Sequence, residues 1–196
     1  MPLSRPSRFA HVVYRTRRFD EMLRWYQTVF DARIQHRNGG LAFLTYDDEH
    51  HRFAFVDMSV FRPDGDETER RGEIGVDHVA YTFASLTDLL ENYATLRQEG
   101  VLPYWCVHHG STASLYYADP DGNQMEFQVD SFETSDEADA FIAEHWEANP
   151  LGVEFDPDDW LARLCDGAPE SALLRRSVNE PVSPLRGELA RLLAAE

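Results

Sequence analysis

Lysine is missing from this sequence altogether: its 18 cationic side chains are all arginine. That excludes Schiff-base chemistry and any lysine general base. Cysteine is nearly missing too. Cys106 and Cys165 are too few for a disulfide framework and their spacing fits no zinc motif, so a reducing cytoplasm is the expected setting. No apolar run approaches the roughly 20 residues of a membrane span. The N-terminal MPLSRPSRFAHVVYR also lacks the apolar stretch of a secretory signal. Positive charge is in deficit: 35 acids leave a net charge of −17, and so acidic a surface repels nucleic acid and anionic membrane alike. Small-molecule chemistry remains, and nothing here forbids a homo-oligomer.

What is present suffices for a core. With 43% hydrophobic residues in 196, a chain of this length buries roughly 70% of its unfolded surface without staples. Its main organising feature is an internal repeat. FAHVVYRTRRFDEMLRWYQTVF at 9–30 matches VDHVAYTFASLTDLLENYATLR at 76–97, with His11 on His78, Tyr14 on Tyr81, Leu23 on Leu90 and Tyr26 on Tyr93. Each copy opens as an alternating strand and continues as an amphipathic helix. Leu86, Leu89, Leu90, Tyr93 and Leu96 recur at helical spacing behind Ser85 or Thr87 as N-cap. Three strand-like runs follow each helix, at 32–37, 41–46 and 51–59, then at 102–107, 113–118 and 123–129. Asn38-Gly39-Gly40 and Asp119-Pro120-Asp121-Gly122-Asn123 supply turns.

The expected fold is therefore α+β: two tandem βαβββ modules at 7–61 and 74–130, joined by a charged linker at 62–73. The duplication implies a pseudo-twofold pair of small sheets. Residues 131–196 read as a helical C-terminal extension, with helices at 135–147 and from Pro157, and a final amphipathic stretch carrying Leu185, Leu189, Leu192 and Leu193.

The last strand of the second module carries the chemistry. Met125, Phe127 and Val129 point one way; Gln124, Glu126 and Gln128 point the other, and a Gln-Glu-Gln row needs water, partners or a metal. His11 and His78 begin the first strand of each repeat, and a pseudo-twofold would bring equivalent positions together. Two imidazoles and the Glu126 carboxylate then form a two-His, one-carboxylate set with open positions, suited to Fe(II), with Mn(II) as the alternative. Either histidine alone reads more simply as a core residue. Their matched positions favour the metal.

The doubled unit, the paired HVVY and HVAY strands and the closing SLYYADPDGNQMEF resemble the vicinal oxygen chelate superfamily over about residues 7–130. Within it the chain is most similar to single-domain type I extradiol ring-cleaving dioxygenases. The resemblance implies that the two modules form a curved, mixed-sheet half-barrel around one metal site. In DDEHHRFAF the resemblance implies that His51, beside His50, is the acid–base group. His109, in HHG, and Tyr116 would hydrogen-bond the substrate oxygens, with His108 as the alternative to His109. The implied reaction takes a small aromatic diol and O₂ and cleaves the ring next to the diol. Phe53, Phe55, Tyr104 and Trp105 read either as an aromatic wall or as core, and Trp146, Phe155 and Trp160 as a closure of the mouth. A glyoxalase, epimerase or thiol transferase of the same superfamily, or a metal-free drug-binding module, remain the alternatives. The first two usually carry a fourth ligand, for which residues 53–59 offer only Asp57.

Overall fold

The computed structural model describes residues 9–49, 51–64, 76, 78–145, 147–149, 151–177 and 180–184. His50, Trp146, most of the 62–73 linker and the 185–193 segment lie outside the described residues. The chain divides into two compact units, Met1–Gly75 with Asp119–Gly122, and Val76–Ala118 with Asn123–Glu196. Each unit is an open mixed sheet with helices.

In the first unit, β1 (Val12–Thr16), α1 (Phe19–Phe30), β2 (Arg33–Arg37), β3 (Leu41–Thr45) and β4 (Phe53–Asp57) follow in order. The sheet order is β1-β4-β3-β2, with β1 parallel to β4 and the other pairs antiparallel. The helix buries Phe19, Met22, Leu23, Tyr26 and Val29, the stripe that its 3.6-residue period produces. It stops at Asp31, which takes a left-handed φ of 48°. Tyr26 meets Phe53 and Phe55 edge-on at 4.7 and 4.8 Å. These two phenylalanines, candidates for a substrate wall, are thus core beneath α1. Along β1 the buried residues are Tyr14 and Thr16, leaving Val13 and Arg15 on the opposite face. The run expected as one strand to residue 59 breaks at Asp57, whose side chain accepts from the Ser59 N–H at 2.8 Å and caps the one-turn helix α2 (Met58–Phe61).

The second unit repeats the pattern with β5 (His78–Thr82), α3 (Leu86–Gln98), β6 (Trp105–His108), β7 (Thr112–Ala118) and β8 (Gln124–Asp130). Of the two candidate caps for α3, Ser85 does the capping, accepting from the Asp88 N–H; the Thr87 hydroxyl instead donates to Glu170. The 119–122 turn closes with the Gly122 N–H on the Asp119 carbonyl, and Gly122 at φ 77° occupies the position that disfavours a side chain. Along β8, Met125, Phe127 and Val129 are buried in the core, which turns Glu126 to the polar face.

The extension holds α4 (Ser135–His145), α5 (Pro157–Cys165) and the short α6 (Glu170–Leu173). It also holds an unexpected strand. β9 (Val153–Glu154) adds antiparallel to β6, so the second sheet runs β5-β8-β7-β6-β9.

Candidate active site

On the polar face of the second sheet, register determines which side chains meet. Glu126 on β8 lies opposite Tyr116 on β7 and beside Ala80 on β5, whose small side chain leaves room above the carboxylate. His78, two residues before Ala80 on the same face, reaches back so that its Nε2 stands 3.1 Å from Glu126 Oε2. Tyr116 stacks on Trp105 at 4.8 Å, and Trp105 meets His109 edge-on at 5.6 Å. Tyr104 closes the row with its hydroxyl on Gln124 Oε1 at 2.6 Å. Of the four aromatic wall candidates, Tyr104 and Trp105 therefore line this face.

His109 follows β6 and completes the cluster. Its Nε2 lies 3.0 Å from the Tyr116 hydroxyl and 3.8 Å from Glu126 Oε1, while its Nδ1 lies 2.6 Å from the Leu151 carbonyl. A carbonyl can only accept, so Nδ1 carries the proton. Burial lowers the His109 pKa, overriding the nearby Glu126 charge, and the ring is neutral with a bare Nε2. Burial and the Glu126 charge push Tyr116 the other way, keeping its hydroxyl protonated. The single Tyr116 O–H thus has two acceptors within reach, His109 Nε2 and the Glu126 carboxylate.

Glu126 has a side chain only 8% exposed. Burial alone would raise its pKa, but hydrogen bonds from His78, Ser114 and Tyr116, with His109 behind them, outweigh burial and hold it below the ordinary carboxylate range. An ionised carboxylate and an imidazole nitrogen 3.1 Å apart fit a shared cation, since two ligands at right angles with bonds of about 2.1 Å stand about 3 Å apart. Among the described residues no group of three or more His, Cys, Asp or Glu is arranged as a metal site; the donors assembled here are a pair.

In the first unit the two other predicted histidines are neighbours. His11, just ahead of β1, and His51, just ahead of β4, have ring centroids 4.3 Å apart, and His51 stacks on Phe43 at 4.6 Å. Asp57, the alternative fourth ligand, is occupied in capping α2.

His108 and His109 separate cleanly. His108 is 3% exposed, accepts from the Gly110 N–H at 3.0 Å and sits edge-on to Trp160. Phe155 and Trp160 stack on each other and, with His108, line a cavity of about 360 Å³ that includes neither Glu126 nor Tyr116. Burial lowers the His108 pKa from 6.5 to about 4. Between those values the unfolded chain binds a proton that the folded chain does not. Stability is therefore lost as pH falls from 6.5, and the loss is complete below about 4. Denaturant titration of the metal-free protein is expected to show about 2 kcal/mol lost to this residue between pH 7 and 5, and His108→Gln should remove that step.

The signal missed in the sequence was the extension. Leu151 acts through a backbone carbonyl, which has no side-chain signature, and Arg176 holds the His109 carbonyl at 2.8 Å from 67 residues away.

A family model for the Glyoxalase/Bleomycin resistance protein/Dioxygenase superfamily matches residues 8–127. Two curated relatives come from Rhodococcus globerulus. Biphenyl-2,3-diol 1,2-dioxygenase 2 is 46% identical over 151 residues, 76% of this chain and 77% of that protein. Biphenyl-2,3-diol 1,2-dioxygenase 3 is 38% identical over 173 residues, 87% of this chain and 88% of that protein. An alignment of 173 residues necessarily runs past residue 127 into the extension. A solved glyoxalase/bleomycin resistance protein/dioxygenase from Nocardioides matches the fold with a TM-score of 0.52 at 18% identity, covering 66% of this chain and 86% of that one.

Proposed function

The chain belongs to the glyoxalase/bleomycin resistance protein/dioxygenase superfamily, and from that premise we propose that it is an extradiol dioxygenase that opens the ring of a catecholic substrate next to the diol. The observation that carries the reading is the His78–Glu126–His109–Tyr116 cluster on one polar sheet face, in a chain 46% identical to a biphenyl-2,3-diol dioxygenase. The relatives imply a metal. We assign it as Fe(II), with Mn(II) as the alternative, held by His11, His78 and Glu126. Equivalence of His11 and His78 in the repeat supports the first ligand, and the 3.1 Å His78–Glu126 pair supports the other two.

Held by His11, His78 and Glu126, Fe(II) would supply a Lewis-acidic, redox-active centre at which the diol and O₂ could react, both oxygen atoms entering the ring-opened product. The side chains manage protons and position. His51 takes a proton from one diol hydroxyl and returns it later in the cycle, a role that suits an imidazole because its ring can both accept and donate a proton. His109, fixed with a bare Nε2, accepts from a substrate hydroxyl, and Tyr116, kept protonated, donates to a substrate oxygen. Trp105 and Tyr104 pack these rings and exclude water from one side.

The test is direct. Protein reconstituted anaerobically with Fe(II) and mixed in air with biphenyl-2,3-diol and other catechols is expected to yellow as the ring-opened product forms. Iron retained at the site with no product from the whole panel would overturn the reading. Preferential activity with nickel or zinc would point to glyoxalase-type chemistry instead.

A further inference from the structure

We infer that the C-terminal extension is a positioning device for the active site: a clamp built from Asn149, Gly152 and Arg176 presents the Leu151 carbonyl to His109 and thereby fixes which ring nitrogen carries the proton. Its functional consequence rests on the dioxygenase reading; the clamp itself rests on hydrogen bonds within one unit.

The described residues from Asn149 to Val153 are tied down by several hydrogen bonds. Asn149 Oδ1 accepts from the Leu151 and Gly152 N–H groups at 3.2 and 2.7 Å, and its Nδ2 donates to the Gly152 carbonyl at 2.9 Å. The Gly152 carbonyl also accepts from the Ser183 N–H at 2.8 Å. Val153 and Glu154 are then bonded to β6 as β9, in register with His108 and Val107. Gly152 permits the close approach. At φ 112°, a Cβ there would stand 2.4 Å from the His108 carbonyl oxygen.

Arg176 ties the loop to the histidine it serves. Its Nη1 donates to the His109 carbonyl at 2.8 Å and to the Asn149 carbonyl at 3.2 Å, so one side chain spans both ends of the contact. It is 8% exposed, in no ion pair among the described residues, and packed over the Phe141 ring at 4.9 Å. A cation buried against carbonyls and one aromatic ring is costly to keep there. Two backbone carbonyls at the edge of the active site are what it gains.

The product of these bonds is the 2.6 Å contact from His109 Nδ1–H to the Leu151 carbonyl. A metal-free imidazole released from that carbonyl is free to protonate at Nε2. The atom facing Tyr116 and Glu126 would then be a donor where the site needs an acceptor. Asn149, Leu151 and Arg176 are therefore positioning residues acting through His109.

Nitrogen-15 spectra of the histidine-labelled, metal-free full-length protein test this without turnover, with His109 assigned by difference from His109→Gln. The wild type is expected to show one Nδ1–H tautomer, and Asn149→Ala and Arg176→Met to populate the Nε2–H form. With Fe(II) loaded, both variants should lose about 10-fold in kcat, with KM for the diol changed less than about 2-fold and iron content unchanged. Arg176→Lys, which keeps a donor, should recover most of the loss. An Nε2–H tautomer in the wild type, or an unaltered Nδ1–H tautomer in both variants, would overturn the clamp. Tautomer shifts in the two variants, beside an iron-loaded wild type that cleaves no catechol, would leave the clamp standing and remove the dioxygenase reading.

Discussion

Glu126→Gln is expected to leave a folded protein that neither holds Fe(II) nor opens any catechol ring. The substitution keeps the shape and one acceptor for the His78 Nε2–H while removing the charge. His78, Ser114 and Tyr116 together keep this carboxyl ionised against its own burial, so that it would offer a fixed negative charge to the cation we propose. Without that charge, two imidazoles would have to hold a divalent ion unaided. The loss of affinity should exceed about 100-fold, the upper end for merely outer partners of metal ligands. Alanine is the poorer probe, because it also strips acceptors from buried donors at about 1–3 kcal/mol each. Gln128→Ala, on the same face of the same strand, serves as control and should retain iron. Metal content after gel filtration checks both variants, and full iron in Glu126→Gln would remove Glu126 from the ligand set.

Glu126 was legible because of its strand. Met125, Phe127 and Val129 alternate with polar residues, and alternation survives folding wherever one face is buried. The repeat was legible for a related reason: matching helical stripes at 19–30 and 86–98 bury matching residues. The sequence was ambiguous where apolar residues carry no period. Phe53 and Phe55 fit a wall or a core equally well, and the decision lay in Tyr26 on another element. It was silent where the backbone acts. A two-residue strand at Val153–Glu154 is too short for any pattern, and nothing about Leu151 announces that its carbonyl orients an imidazole. Arg176 looks like any surface arginine; only its burial beside the His109 carbonyl distinguishes it.

The extension lies wholly beyond the superfamily match, yet the 38% identical relative shares it in part. A second sheet ending at β6 would leave the His108 and Val107 backbone as an unpaired edge and the His109 ring without its Leu151 partner. β9 covers that edge, and the loop before it supplies the partner. One short segment thus covers a sheet edge and gives the His109 ring its hydrogen-bond partner.

His51→Gln is expected to separate the two histidines of the first unit by function. With ring centroids 4.3 Å apart, His11 and His51 share one neighbourhood, and proximity alone does not assign the metal to either. Position in the repeat supports His11 as the ligand we propose: it has its counterpart in His78, whereas His51 has none in the second module. His51→Gln should therefore retain iron and diol binding while losing about 10²–10⁴ in kcat, the range for removing a general acid–base group. His11→Gln should lose the iron itself. The Phe43 stack beneath His51 is apolar, so glutamine there keeps the space filled without supplying an ionisable group. Paired iron analyses and single-turnover rates decide the assignment. Iron lost from His51→Gln and kept in His11→Gln would exchange the two roles, and activity kept in both would show that the first unit contributes neither.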